Sequence, residues 1–303
     1  MKRLIDVKQE GIVSGLLIEK YIAPPFSVLD TRQGYWQERK RRWLSLGIQS
    51  ELGRKDKLAF NINYNQYAKE VYGASNKHAK NFQRTETHKT SIFDPVLCEI
   101  MYSWFSNEGD AILDPFAGGS VRGIVAGVLN RHYTGIDLSK AQIEANKAQL
   151  DEIETAIKPE WITGDSKHIK QLVGDRQFDM IFSCPPYYNL EVYSKDARDL
   201  SYQPAYEDFK TAYSNIIVES CDLLKDGAFA VFVVGRVRDP KGPLYNLVGD
   251  TITAFLKAGM QLYNDAILVN AIGSATIRAP RQMDKSKKLV NVHQNVLVFR
   301  KGA

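Results

Sequence analysis

Residues 111–137 read AILDPFAGGSVRGIVAGVLNRHYTGID. The apolar triplet Ala111-Ile112-Leu113 is a short buried strand that breaks at Asp114-Pro115. A glycine pair, Gly118-Gly119, with Ser120, then opens a helical stretch from Val121 to Leu129. A second strand, Arg131 to Ile136, runs into another acid, Asp137. Strand, glycine turn, helix and strand in this order make one βαβ unit. The glycines let the backbone approach a ligand, and the helix aims its first amides at the same place. The dinucleotide fingerprint GxGxxG is absent, which disfavours a nicotinamide or flavin enzyme. Asp137 lies nineteen residues beyond Gly118, a spacing that suits an acid accepting both hydroxyls of a ribose.

The alternation continues outward. Ser139 is placed to cap an amphipathic helix running to about Ile157, and Trp161–Thr163 is a third strand that ends at Gly164-Asp165. Phe178–Phe182, Ala228–Val234, Ala266–Val269 and Asn295–Arg300 are further strands. Helices are expected near Tyr206–Leu224 and Leu244–Ala258. Strands spaced by helices imply an α/β fold with a mostly parallel, doubly wound sheet. Three successive strand ends supply an acid each, Asp114, Asp137 and Asp165, at the edge where open α/β sheets bind ligands. No helical pattern is visible in Gly273–Asn291, which carries Arg278, Arg281, Lys285, Lys287 and Lys288. The last two strands are therefore expected to pair antiparallel across a polar loop.

At 303 residues the chain has room for one large domain or one with a smaller companion. Its longest apolar run in the C-terminal half, Ala228–Val234, suits a buried strand and cannot span a bilayer. No secretory leader is recognisable at the N-terminus, and three widely separated cysteines fit a reducing cytoplasm. No zinc-protease or P-loop signature occurs, and no metal is expected.

Charge is unevenly spread. Residues 1–90 hold 17 Lys and Arg against 9 Asp and Glu, while the whole chain holds 40 against 35. Basicity at one end suggests an acidic partner such as nucleic acid. There, Pro24–Asp30 reads as extended, Tyr35–Leu46 as a short helix and Asn61–Asn81 as irregular. Arg39, Arg41 and Arg42, with Lys40, lie between Trp36 and Trp43. Such a cluster suits phosphate contacts and base stacking, and equally a helix anchored by two tryptophans with a wet basic face. Residues 1–88 are expected to be a basic accessory segment, a candidate for nucleic-acid recognition, and 89–303 the main domain.

The fourth strand stops abruptly at Cys184-Pro185-Pro186-Tyr187-Tyr188. Two prolines remove two donors and prevent sheet pairing, so carbonyls stay available beside aromatic rings. With DPFAGGS at residues 114–120, CPPY at 184–187 and VHQNVLVFRK at 292–301, the chain resembles the S-adenosylmethionine-dependent amino-methyltransferases of DNA, acting on adenine N6 or cytosine N4. HKTSIFDPVLCEIMYSWFSNEGD, residues 88–110, is similar to that family's lead-in helix. PPFSVLDTRQGYWQERKRRWLSLGI, residues 24–48, is similar to phage-type methylases.

The resemblance implies a Rossmann-like class I methyltransferase fold with a smaller N-terminal extension. It implies that Asp114, Phe116, Gly118 and Gly119 line the methionine part of the cofactor. Asp137 would hold its ribose and Asp165 its adenine. Cys184, Pro185, Pro186 and Tyr187 would form the target-base pocket, with Tyr187 stacking on a base flipped out of duplex DNA. Arg39, Arg41, Arg42, Arg278 and Arg281 are the candidate DNA contacts. The chain departs from the family pattern at Ser120, a glycine in the family, and at Cys184, an Asp, Asn or Ser there. An RNA amino-methyltransferase, or a silent DNA-binding protein on the same fold, are the alternatives.

Overall fold

The strand residues bury alternately on two faces, and that alternation builds the molecule. In the sixth strand Val231 and Val233 pack with one helical layer, while Ala230, Phe232 and Val234 pack with the other. The computed structural model describes residues 15–49, 93–190, 192–273 and 275–302. Among them, eight strands form one sheet. These are β1 (Val28–Asp30), β2 (Ala111–Asp114), β3 (His132–Asp137), β4 (Glu160–Thr163), β5 (Phe178–Ser183), β6 (Leu224–Val234), β7 (Met260–Val269) and β8 (His293–Lys301). Their order across the sheet is β1-β7-β8-β6-β5-β2-β3-β4. Every pairing is parallel except the two made by β8, which runs antiparallel between β6 and β7. That is the α/β class I methyltransferase topology, with an extra edge strand, β1, contributed by the N-terminal segment.

One face is covered by α1 (Gly34–Leu44), α2 (Pro95–Phe105), α3 (Val121–Val128) and α4 (Lys140–Gln149). The other carries α5 (Ile169–Val173), α6 (Tyr206–Asp222) and α7 (Leu247–Lys257). Trp36 is fully buried and Trp43 is 7% exposed, both in the core of the first face. The tryptophan-anchored reading of α1 therefore holds, and neither ring is presented for base stacking. The expected irregular stretch Asn61–Asn81 lies outside the described residues.

Two expectations are corrected. Helix α4 ends at Gln149 rather than near Ile157. The chain leaves it to cross α3 at Gly127, where the Ile157 amide donates to the Gly127 carbonyl at 3.1 Å. A Cβ on Gly127 would sit 2.3 Å from the Ile157 carbonyl, so the crossing requires glycine. Pro159 further biases Lys158 away from helical geometry. The β7–β8 connection, expected as a loop, contains α8 (Ala275–Ser286), with Pro280 inside it. Its inward positions, Ala275, Arg278 and Gln282, follow helical spacing but are mostly polar, which hid the period.

Candidate active site at the C-terminal edge of the sheet

Strand pairing brings the motif residues together. Asp114 pairs with Gly135, Asp137 with Thr163 and Ser183 with Phe232, so β2 to β6 all end on one edge. The glycine turn sits between β2 and α3, with Gly118 at φ +51°, a conformation that favours glycine. Phe116, Gly118, Gly119, Asp137 and Asp165 are half-buried there, whereas Asp114 has no exposed surface.

Asp114 is therefore not placed to line the cleft; it organises the turn from beneath. It accepts from Arg122 Nε at 2.6 Å, the Tyr133 hydroxyl at 2.7 Å, the Ser183 hydroxyl at 2.5 Å and the Phe116 amide at 3.1 Å. Arg122 also donates to the carbonyls of Phe116 at 2.7 Å and Ala117 at 2.9 Å, and its guanidinium lies 4.7 Å from the Phe93 ring centre. Burial works against the Arg122 charge, but adjacent Asp114 outweighs it and holds the guanidinium protonated. Burial, then the Asp114 charge, pushes the Tyr133 phenol well up, so it stays a donor. This network was not anticipated from the sequence. Its signal was one arginine in an otherwise apolar helix, VRGIVAGV.

Asp137 accepts from the amides of Gly118 at 2.9 Å and Ser139 at 2.8 Å, one on each oxygen. A carboxylate oxygen can accept more than one hydrogen bond. Asp165 accepts from the Lys167 amide at 3.0 Å, and Ser166 ties that strand end to the turn through the Pro115 carbonyl at 2.6 Å. A row of buried amides on α4 supports the turn from the side. Asn146 donates to the Gly118 carbonyl at 2.7 Å, and Gln149 accepts from Ser120 at 3.1 Å. Gln149 also bonds both the amide and carbonyl of Gln49, fastening the N-terminal segment beside the turn. A permissive glycine turn, a flanking aromatic and two half-exposed acids on successive strands fit a cofactor with a ribose and an amine.

The second motif begins where β5 ends. Ser183 turns inward to Asp114, linking the two motifs directly. Pro185 is buried, while Cys184, Pro186 and Tyr187 are half-buried. The Tyr187 hydroxyl lies 3.2 Å from the Cys184 sulfur, 3.2 Å from the Val233 carbonyl and 2.7 Å from Gln294 Nε2. Burial, then the neighbouring Cys184, pushes its phenol well up. Its ring lies against Gly235, where an added Cβ would stand 2.5 Å from the ring. Gly235→Ala is accordingly expected to displace Tyr187 and lower turnover without changing cofactor affinity, measured by kinetics alongside calorimetry. Tyr188 takes φ +51°, an unfavourable value for a non-glycine residue, and is held by ring contacts with Tyr206, Phe209 and Tyr245.

The candidate DNA contacts divide. Arg39 is committed to Glu99 by two 2.6 Å bonds, and Trp43 Nε1 joins the same carboxylate at 2.7 Å. Lys40 and Trp36 likewise reach Asp94, the cap of α2, at 2.9 and 3.3 Å. Arg39 thus docks α1 onto α2 instead of presenting a free charge. Arg41 and Arg42 are exposed, Arg42 with Glu38 one turn away. Arg278 is half-buried with its Nε sealed from solvent and without a hydrogen-bond partner among the described residues, and Arg281 is exposed. Because β7 and β6 end on the same side, Val269 opposite His293 and Val234 opposite Asn295, α8 emerges at the edge that carries Tyr187. Among the described residues no group of acids, histidines or cysteines could hold a metal ion, and no helix could cross a membrane.

Comparison with known proteins follows the same lines. The family model described as DNA methylase matches residues 23–148. A relative, the Type II methyltransferase M.HpaI of Haemophilus parainfluenzae, is 47% identical over 56 residues, 18% of this chain and 18% of its own length. Among solved structures, a methyltransferase from Pyrococcus furiosus is 18% identical, with a TM-score of 0.47, covering 79% of this chain and 95% of its own. TrmN from Thermus thermophilus is 15% identical, with a TM-score of 0.46, covering 69% and 49%. The matched segment runs from just before β1 through the glycine turn and Asp137 into α4, and over it the chain is similar to DNA methylases.

Proposed function

We propose that the chain transfers a methyl group from S-adenosylmethionine to the exocyclic amine of a base flipped from double-stranded DNA. Adenine N6 is favoured over cytosine N4. The observation that carries this reading is the direct link between the two motifs. Ser183, the last residue of β5, bonds Asp114 at 2.5 Å, so the cofactor turn and Cys184–Tyr187 form one rigid edge.

When bound, the cofactor supplies an electrophilic methyl on a sulfonium. Asp137 would accept from its ribose hydroxyls, Asp165 from its adenine amine, and Phe116 with Gly118 and Gly119 would bound its amino-acid end. An exocyclic amine is a poor nucleophile because its lone pair is delocalised into the ring. The carbonyls of Cys184 and Pro185 would accept its two N–H bonds and favour a pyramidal nitrogen. Tyr187 would stack on the base. Alignment and preorganised acceptors, rather than a strong base, account for the rate.

Residues 1–88 serve in this reading as an accessory DNA-binding segment to the 89–303 catalytic domain. The two share a core where described, since β1 extends the sheet and α1 docks on α2. Arg41, Arg42, Arg278 and Arg281 would meet phosphates, and the buried Nε of Arg278, which has no hydrogen-bond partner among the described residues, supports an anionic ligand there. Replacing Arg278 and Arg281 with alanine is expected to weaken duplex binding and reduce the salt slope by up to about 2, with cofactor affinity unchanged. An unaltered salt dependence would remove α8 from the interface.

Nucleoside mass spectrometry of DNA and RNA from expressing cells tests the reading. New N6-methyladenine or N4-methylcytosine in DNA supports it and identifies the base. Modification confined to RNA, or none with soluble protein, overturns it.

A further inference from the structure

The Tyr187 hydroxyl is approached by three groups of unequal chemistry. The Gln294 amino group only donates and the Val233 carbonyl only accepts. Gln294 therefore takes one of the two phenol lone pairs, and the single phenol proton goes to Val233. What remains for Cys184, at 3.2 Å, is the second lone pair, so the thiol is the donor of that contact. Gln294 is itself oriented. Its Oε1 lies 3.4 Å from Asn270 Nδ2, and its backbone is fixed in β8 opposite Leu268.

We propose that Gln294 is a positioning residue of the candidate site: it saturates the Tyr187 hydroxyl, holds the ring over Gly235 and leaves Cys184 a thiol turned toward Tyr187. Position 184 then meets a substrate amine through its backbone carbonyl. A thiol engaged in this way offers an amine no strong acceptor, and where the family carries an acceptor side chain this chain carries a donor to its own aromatic wall. The consequence for catalysis rests on the methyltransferase reading; the arrangement of Gln294, Tyr187 and Cys184 does not.

The test is the rate at which iodoacetamide alkylates Cys184 in the folded full-length protein, read by peptide mass spectrometry. Cys98 and Cys221 are 0% and 1% exposed, and burial raises both thiols, Cys221 to about 12, so modification at 184 is separable. Gln294→Met removes the donor that holds the Tyr187 hydroxyl beside the sulfur. Alkylation is expected to accelerate about threefold to tenfold, the weight of one hydrogen bond. Gln294→Glu substitutes an acceptor that competes for the phenol proton and sets a negative charge beside the thiol, so alkylation is expected to slow by a similar factor.

Opposite signs in the two variants support the proposal, because mere loosening would accelerate both. Acceleration in both, or rates within about twofold of wild type in both, overturns it. If Gln294→Met does not fold, the sign in Gln294→Glu decides. In methyl transfer, Gln294→Met is expected to lower kcat about tenfold, the loss of one oriented hydrogen bond, with cofactor KM unchanged. A wild-type protein that transfers no methyl group would end the proposed function and leave the alkylation result to stand alone.

Discussion

Replacing Arg122 with methionine is expected to destabilise the fold by about 3–5 kcal/mol, because the partner carboxylate stays buried and uncompensated. Asp114 has no exposed surface and Arg122 is 5% exposed, so water cannot substitute for the lost guanidinium. The variant also strips two donors from the carbonyls of Phe116 and Ala117 and removes the cation resting on Phe93. Denaturant unfolding at neutral pH measures the loss. Pairing Arg122→Met with Asp114→Asn should recover part of it, since the neutral amide costs less to bury. A single-variant loss below about 1 kcal/mol, the range of exposed ion pairs, would mean the pair is hydrated in solution. The same arginine shapes the glycine turn that is proposed to receive the cofactor. A folded Arg122→Lys protein is therefore expected to bind S-adenosylmethionine more weakly, because a point charge cannot serve Asp114 and two carbonyls as a planar fork does.

Tyr187→Ala is expected to reduce kcat/KM for duplex DNA about tenfold to hundredfold, matching the 1–3 kcal/mol that one base–aromatic stack contributes. Cofactor affinity should be unaffected, since the ring packs on Gly235 and its hydroxyl on Val233 and Gln294. Tyr187→Phe separates the two duties proposed for the residue. It keeps the stacking face but gives up the hydroxyl contacts with Gln294, Val233 and Cys184, so a smaller loss confined to kcat is expected. Equal losses in the two variants would assign the effect to the hydroxyl, and an undiminished rate in Tyr187→Ala would remove Tyr187 from the base pocket.

The overall fold was legible because its signals are local. The apolar runs of β2, β3, β5 and β6 lie at the expected residues, and the glycine turn announced itself by composition. The two misread segments share a cause: long-range contact overrode the local pattern. Helix α4 stops at Gln149, ahead of the segment that crosses Gly127 at Ile157, and α8 hides its period because Arg278 and Gln282 are half-buried. The sequence neighbours of Arg39 suit a DNA contact and a docked helix equally. Only the packing of α1 on α2 reveals that Glu99 already holds it.

Sequence alone determined which residue types arrive at the strand ends: Asp114, the glycine pair, Asp137, Asp165 and the diproline with its tyrosine. These follow from backbone rules that act within a few residues, such as glycine's access to positive φ and proline's missing donor. The tertiary structure decided what each side chain has left to offer. Asp114 is spent on Arg122, Tyr133 and Ser183, and the Tyr187 hydroxyl on Gln294, which is 107 residues away. A buried polar group must find its partners wherever the fold brings them, and hydrogen-bonding capacity is finite, so the free valence of a site is a property of the assembled molecule.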